Sequence, residues 1–179
     1  MARAVDALAN VRLRPEAESD LSFLLVLYRS TREQEVSMVP WTEGQKQAFV
    51  EMQFTSQRQH YLREYPGARL QVIERDAEPI GRLYVHERPD EIRIMEIALA
   101  PAARSQGVGG ALLRSILDDG ARSGRPVTIH VERFNPARRL YERLGFRNVS
   151  IESADSIYLL MEARPRVRDA SIRPAESTG

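Results

Sequence analysis

The heptapeptide RSQGVGG, residues 104–110, lies between a strand-like segment and a helix-like segment. Its glycines, Gly107, Gly109 and Gly110, leave bare backbone where the helix is expected to begin. Glycine costs conformational entropy in an ordered segment, so its repeated use indicates that something approaches the backbone closely. The unpaired amides and the positive dipole end of a helix N-terminus attract anions. The stretch predicts an anion site, most naturally for phosphate; the alternative is a tight helix entry packed on a neighbouring strand.

Two common phosphate-binding motifs fit this stretch poorly. A Walker loop requires Gly-Lys-Ser/Thr after its glycines, whereas Ala111 and Leu112 follow Gly110, which excludes that motif. A dinucleotide fingerprint requires Gly-x-Gly-x-x-Gly, but Leu112 stands at the last glycine position. The spacing therefore disfavours a nucleotide-binding oxidoreductase.

The composition is that of an ordinary globular chain and excludes several kinds of chemistry. The 179 residues are 42% hydrophobic and 28% charged, which suits one domain with a sizeable core. The chain contains no cysteine, so disulfides, thiolate catalysis and cysteine-ligated zinc are excluded. The net charge of +1 lacks the basic excess of a general nucleic-acid binder, so we expect no nucleic-acid partner. Because the three histidines are scattered along the sequence, we expect no metal site.

The segments at the two ends of the sequence indicate where the protein is expected to be located and how its domain is bounded. The N-terminal segment lacks the apolar core of a secretory signal, and no apolar run is long enough to span a bilayer. We therefore expect a cytoplasmic protein without membrane attachment. Residues 164–179 contain arginines and prolines but few apolar residues, so we expect one domain over residues 1–163 followed by a disordered tail.

Hydrophobic periodicity predicts an alternation of strands and helices. Thr42 and Gln45 match a capping box at the start of the second helix. Asn135 as N-cap, Pro136 in the first turn and Gly145 past the end predict a compact last helix. The predicted strands are 11–15, 69–74, 80–87, 91–99, 126–132, 146–151 and 156–162; the predicted helices are 18–33, 42–65, 107–123 and 135–146.

Two segments together resemble the GNAT acyltransferase superfamily. RSQGVG (104–109) resembles its Arg/Gln-x-x-Gly-x-Gly/Ala segment. NPARRLYERLGF (135–146) resembles its second motif, Asn-x-x-Ala/Ser-x-x-x-Tyr-x-x-x-Gly-Phe, although Ala137 lies one position earlier than a strict match. The order and separation of the two segments also agree with the family, and the resemblance covers roughly residues 10–162.

The resemblance implies an α/β (α+β) fold with a mixed central sheet of about six to seven strands and about four flanking helices. It implies an N-acetyltransferase that moves an acetyl group from acetyl-CoA directly to a primary amine, with no metal. The acceptor is a small-molecule or protein amine, and a homodimer is compatible with the family. The alternative is a GNAT-like module that binds acyl-CoA without turnover.

The resemblance also implies which residues contact the cosubstrate. Backbone groups of the strand before the glycine loop position the thioester, and the loop amides hold the pyrophosphate. Asn135 matches the asparagine that touches the cofactor near the pantetheine. The expected cofactor-binding residues are Ile97, Ala98, Leu99, Arg104, Ser105, Gln106, Gly107, Val108, Gly109, Gly110, Ala111 and Asn135.

Catalytic roles follow from the same match and from the residues themselves. Tyr141 matches the tyrosine that protonates the departing thiolate; the alternative is a core tyrosine on an apolar helix stripe. Glu96, an acid inside an apolar strand, is the candidate general base, or else a carboxylate paired with an arginine. Glu132 and His130 are the fallback bases.

The acceptor pocket is predicted between the first two helices and the hairpin that follows them. Residues 32–41 are expected to form a loop at its mouth. There, Glu33, Glu35 and Trp41 are candidates to hold a cationic amine through charge and cation–π contact.

Overall fold

The structure, a computed structural model, describes residues 7–150 and 157–165. Its described part contains a seven-stranded sheet and four α-helices. The strands are β1 (Val11–Pro15), β2 (Arg69–Arg75), β3 (Glu78–Glu87), β4 (Ile92–Leu99), β5 (Val127–Glu132), β6 (Arg147–Asn148) and β7 (Tyr158–Ala163). The helices are α1 (Leu21–Ser37), α2 (Glu43–Glu64), α3 (Val108–Ser123) and α4 (Arg138–Arg143).

The sheet is mixed, with the strand order β1-β2-β3-β4-β5-β7-β6. Strands β4 and β5 run parallel, and every other neighbouring pair is antiparallel. A parallel pair requires a crossover connection, which α3 supplies between β4 and β5. The predicted fold class, a mixed sheet flanked by helices, is confirmed.

The helices cover the two faces of the sheet with separate apolar clusters. On one face, α1 and α2 pack over β2 through Leu24, Leu27, Val50, Phe54 and Val72. On the other face, α3 and the segment around α4 pack on the central strands; this cluster includes Val108, Leu113, Ile94, Ile129, Tyr141 and Phe146. The alternation of side chains along β3 and β4 therefore decides which residues lie under α1 and α2.

Several element boundaries differ from expectation. The capping box is confirmed, since Gln45 N donates to Thr42 Oγ1 over 3.3 Å and Thr42 N donates to Gln45 Oε1 over 2.9 Å. Helix α1 continues to Ser37 instead of ending near residue 33, because Val36 packs in the cluster under α1 and α2. Residue 151 of the predicted strand 146–151, residue 156 of the predicted strand 156–162, and the tail from residue 166 onward lie outside the described residues.

The last helix is shorter than predicted and begins at Arg138. Asn135 is not its N-cap, because Ala137 holds that position. The Asn135 side chain instead closes a turn before the helix, accepting a hydrogen bond from Ala137 N through Oδ1 over 2.9 Å. Asn and Asp side chains commonly make such local turns in competition with a helix start.

A buried carboxylate ties β1 to the start of α1. Asp20 accepts two hydrogen bonds from the Arg14 guanidinium, each over 2.7 Å, and one from Ala17 N over 2.8 Å. Arg14 holds the pKa of Asp20 below its usual value, and the Ala17 amide adds to this against the opposing effect of burial. The folded state therefore binds this proton more weakly than the unfolded chain does.

We expect Asp20→Asn to lower the free energy of unfolding at neutral pH by about 1–3 kcal/mol, the usual value of hydrogen bonds to a charged group. The contact stabilises the fold above the unfolded pKa of about 3.9, and this contribution is lost as the pH falls through the lower folded value. Urea unfolding at a series of acidic pH values should show a weaker pH dependence in the variant. Asp90→Asn, the same change at an exposed position, is the control; identical pH dependence in Asp20→Asn and wild type would contradict the assignment.

Candidate active site

Strands β4 and β5 separate partway along their length. They pair only over Ile92–Ile94 and Val127–Ile129. The opposite edge of β4 stays paired with β3 as far as Leu99, but one residue is inserted, because Tyr84 pairs with Glu96 while Val85 pairs with Ile94. Such a bulge bends a strand and increases its twist. On the β5 side, backbone groups of residues 95–99 therefore have no strand partner among the described residues.

The glycine loop follows directly from this unpaired edge. A short 3-10 turn, Pro101–Ala103, leads into the loop, and Gly107 has φ +84°, a conformation that favours glycine. The first hydrogen bond of α3 runs from Ala111 N to Gly107 O over 3.0 Å. The amides of the first helical residues, Val108–Gly110, precede that bond and have no partner within the helix. The loop thus presents three backbone amides that no bond within the helix uses.

Gly109 is not required by the packing of the protein. Its φ is not in the left-handed region, and the nearest atom to a Cβ built there would be Leu99 Cδ1, at the ordinary contact distance of 3.6 Å. Gly110, in contrast, is buried, and its Cβ position lies 3.6 Å from Leu140 Cδ1. The absence of a side chain at 109 therefore leaves space beside the free amides that the fold does not use.

The polar side chains of the loop bind other parts of the protein. Arg104 donates through Nε to Leu99 O over 2.9 Å and through Nη2 to Ser30 Oγ over 3.0 Å. Gln106 donates to Ala102 O over 2.6 Å and accepts a hydrogen bond from Arg75. These contacts of Arg104 and Gln106 hold the loop against β4, α1 and β2.

Tyr141 lies in α4 with its ring in the core. The residue is 5% exposed, and its ring packs edge-on against Phe146 at a centroid distance of 5.9 Å. Among the described residues, its hydroxyl has no hydrogen-bond partner, which is unusual for a buried tyrosine. Burial, with a smaller effect from the charge of Glu96, raises the pKa of Tyr141 to about 12. The phenol therefore holds its proton at neutral pH and has no partner in the fold to share it with.

The charge of Glu96 contributes to the raised pKa of Tyr141, but the hydrogen-bond partners of Glu96 lie on the other face of the sheet. Its Oε1 accepts a hydrogen bond of 2.5 Å from Nη2 of Arg82, and its Oε2 lies 3.5 Å from the hydroxyl of Tyr61. Its side chain is 18% exposed. Glu96 therefore has features of both interpretations from the sequence. It is a half-buried acid whose charge affects Tyr141, and it is paired with an arginine.

The fallback bases lie at the end of β5. Glu132 accepts hydrogen bonds from Arg32 over 3.1 Å and from the Tyr158 hydroxyl over 3.3 Å. His130 is exposed, and partial desolvation followed by the charge of Arg93 lowers its pKa. Within residues 7–150 and 157–165, no group of three or more His, Asp or Glu side chains is arranged to hold a metal ion, and no helix is long and apolar enough to cross a membrane.

The three acceptor candidates have different surroundings in the structure. Glu33 and Glu35 lie on the last turns of α1 and not on a loop, because the helix extends to Ser37. Glu33 lines a cavity of about 330 Å³ between α1 and the start of α2, whereas Glu35 pairs with Arg32 over 3.0 Å. Trp41 lies between the helices and packs edge-on against Phe49 at 5.1 Å. The loop predicted over residues 32–41 is therefore wrong as far as Ser37, and the role of these three residues in holding an amine stays a prediction.

Sequence reasoning missed Arg82. The residue sits in the strand segment IGRLYVHE, where alternation with Gly81 and Leu83 suggests a solvent-facing position. The structure buries it completely under α1 and α2, with only 2% of its surface exposed. A cation in an otherwise apolar and aromatic strand was the available signal, since arginine is rarely fully buried unless it is paired.

Comparison with known proteins agrees with the geometry. Residues 32–146 match the model of the Acetyltransferase (GNAT) family. A search of curated proteins finds no match.

Solved structures with a similar fold include the PaiA N-acetyltransferase from Thermoplasma acidophilum in complex with coenzyme A. It is 16% identical with a TM-score of 0.64, covering 86% of this chain and 98% of that chain. Another is the ribosomal-protein-S18-alanine N-acetyltransferase from Escherichia coli, 19% identical with a TM-score of 0.57, covering 91% of this chain and 99% of that chain. These likenesses concern the fold. Because the family model spans more than half of the sequence and includes both the glycine loop and Tyr141, this chain belongs to the GNAT acetyltransferase family.

Proposed function

We propose that the protein is an acetyl-CoA-dependent N-acetyltransferase that transfers an acetyl group to a primary amine of a small molecule or protein. The observation that carries this proposal is the continuity of one surface. The unpaired edge of β4 leads through Pro101–Ala103 into the free amides at the start of α3, Glu96 belongs to that edge, and the charge of Glu96 contributes to the raised pKa of Tyr141. A structural neighbour in complex with coenzyme A supports the choice of cosubstrate.

The residues present fit an acyl-CoA. The amides of Val108–Gly110 would take the pyrophosphate, and the space left at Gly109 would admit it. Backbone groups of Ile97–Leu99 would align the pantetheine arm as an added strand does. Asn135 uses Oδ1 within its own turn, which leaves the amide nitrogen to donate to the cofactor. Arg104 and Gln106 would act by holding the loop, since their side chains are engaged elsewhere.

Acetyl-CoA supplies a thioester that an amine attacks, with release of the CoA thiol. Two proton movements then fall to side chains of this chain. Tyr141 holds a proton on a hydroxyl without a protein partner, and it donates that proton to the departing sulfur. Glu96 takes the proton that the attacking nitrogen loses, directly or through a water molecule. Amide groups of the β4 edge stabilise the negative charge that develops on the carbonyl oxygen.

Ligand-dependent unfolding and thiol release together test this function. Acetyl-CoA at a hundred times its Kd should stabilise the folded protein by about 2.7 kcal/mol, while NAD should leave the melting temperature unchanged. Thiol release on a panel of primary amines should then depend on the amine. Stabilisation by acetyl-CoA without amine-dependent thiol release would support a binding module instead, and the absence of both effects would refute the proposal.

A further inference from the structure

Arg82 is a buried cation that the stability of the fold does not explain. Its guanidinium carbon lies 5.7 Å from the ring centre of Tyr28, 6.0 Å from that of Phe54 and 5.1 Å from that of Tyr84. Its Nη2 donates to Glu96 and, over 3.1 Å, to Gln57, while its Nε has no hydrogen-bond partner among the described residues. Burying a charge is costly, and buried ion pairs can often be replaced by apolar residues without loss of stability.

The bulge in β4 brings Glu96 to Arg82. Side chains alternate between the faces of a strand, so Ile94 and residue 96 would normally share a face. The inserted residue, Met95, changes this: Ile94 packs under α3, whereas Glu96 lies on the face of Arg82. The inserted residue Met95 therefore lies where the pairing of β4 with β5 ends, and it turns the carboxylate of Glu96 toward the buried guanidinium.

The two carboxylate oxygens of Glu96 have different partners. Oε1 is bound by Arg82 over 2.5 Å, whereas the only contact of Oε2 among the described residues is the long one to Tyr61. The phenols that approach this pair come from four elements: Tyr28 from α1, Tyr61 from α2, Tyr84 from β3 and Tyr141 from α4. Tyr84 itself donates to Glu16 over 2.5 Å, and Glu16 pairs with Arg58. The cation hydrogen-bonded to Glu96 is Arg82.

We propose that Arg82 is a positioning residue, whose buried guanidinium holds Oε1 of Glu96 so that Oε2 is kept in place to accept the proton of the acceptor amine. This inference rests on the proposed function, and specifically on Glu96 as the general base. Arg82 contacts no substrate in this arrangement and acts through the carboxylate. The rings of Tyr28, Phe54 and Tyr84 pack around the guanidinium and restrict its movement.

The test compares kcat and KM in wild type, Arg82→Met, Arg82→Lys, Glu96→Gln and the double variant Arg82→Met/Glu96→Gln. Misplacing a catalytic group by about 1 Å can cost roughly 10²-fold in rate. We therefore expect Arg82→Met to lower kcat by roughly 10²-fold, while the KM for acetyl-CoA changes little. Arg82→Lys should recover part of this loss, because it keeps a cation that can donate a hydrogen bond to Glu96.

Two further measurements separate positioning from structure. The Kd of acetyl-CoA should stay unchanged in Arg82→Met, and the double variant should be no slower than Glu96→Gln alone. Arg63→Met, at an exposed arginine of α2, is the matched control and should leave kcat unchanged. If Arg82→Met does not fold, Arg82→Lys decides: wild-type kcat in Arg82→Lys combined with an impaired Glu96→Gln supports the inference, and losses that add fully in Arg82→Lys/Glu96→Gln would overturn it.

The outcomes distinguish this inference from the proposed function. Wild-type activity in Glu96→Gln would reject Glu96 as the base, and with it the role of Arg82, without affecting acetyl transfer itself. An impaired Glu96→Gln combined with wild-type kcat in Arg82→Met, or with additive losses in the double variant, would reject Arg82 alone. A lowered kcat in Arg82→Met, with unchanged acetyl-CoA affinity and non-additive losses, supports the positioning role.

Discussion

Replacing Tyr141 by phenylalanine is expected to lower kcat by roughly 10²–10⁴-fold, the usual cost of losing a general acid, while the KM for acetyl-CoA changes little. Phenylalanine keeps the ring packed against Phe146 and removes only the hydroxyl. Because that hydroxyl has no partner among the described residues, its loss leaves no protein group unsatisfied. The free energy of unfolding should therefore change by less than about 1 kcal/mol. Steady-state kinetics with an accepted amine and denaturant unfolding measure the two quantities.

The control for this prediction is Tyr65→Phe, the same change in a half-buried tyrosine that packs edge-on against His86 at 5.5 Å. It should leave kcat unaltered. A pH profile adds a second check: since the pKa of Tyr141 is raised to about 12, the phenol stays protonated through neutral and mildly alkaline pH, and kcat should show no alkaline limb from it there. A Tyr141→Phe protein with wild-type kcat would identify Tyr141 as a packing residue.

Gly109→Val is expected to weaken acetyl-CoA binding by roughly 10- to 100-fold, because side-chain overpacking typically costs about 1–3 kcal/mol. The valine methyl groups would enter the space beside the free amides that the proposed function gives to the pyrophosphate. The fold should tolerate a Cβ here, since its nearest neighbour would be Leu99 Cδ1 at 3.6 Å. Gly109→Ala should accordingly weaken binding less than Gly109→Val. Titration calorimetry with acetyl-CoA and with CoA measures the affinities.

A matched control exists in α2. Gly44 is the second residue of that helix, as Gly109 is of α3, and a Cβ at Gly44 would meet only Thr42 Oγ1 at 4.0 Å. Gly44→Val therefore imposes the same β-branched residue on the same helical position away from the glycine loop, and its acetyl-CoA affinity should equal that of the wild type. Unchanged affinity in a folded Gly109→Val protein would remove the pyrophosphate assignment from this loop.

The local signals in the sequence predicted most of the fold and part of the candidate site. Periodicity located every strand and helix that the structure describes, and the capping box of Thr42 and Gln45 is present. The glycines predicted a helix start with free amides. These features depend on residues close together in the chain, which is why they can be read from it. The α4 boundary was wrong because Asn135 makes a local turn that competes with a helix start.

The surroundings of the acceptor candidates could not be predicted from local sequence patterns. Glu33, Glu35 and Trp41 are close in sequence, yet each has different neighbours: Glu33 lines a cavity, Glu35 pairs with Arg32, and Trp41 packs edge-on against Phe49. Arg32 and Glu132 form an ion pair although they lie far apart in the chain, so no local sequence pattern predicts this contact.

The sequence by itself determined the family and the position of the glycine loop at the start of α3, because both depend on short motifs and on local helix geometry. Only the tertiary structure decided the environment of the candidate base. The face on which Glu96 lies depends on one inserted residue in the register between β3 and β4, and its partner Arg82 comes from the neighbouring strand. Register is a property of two strands together, and a shift of one residue moves a side chain to the opposite face of the sheet.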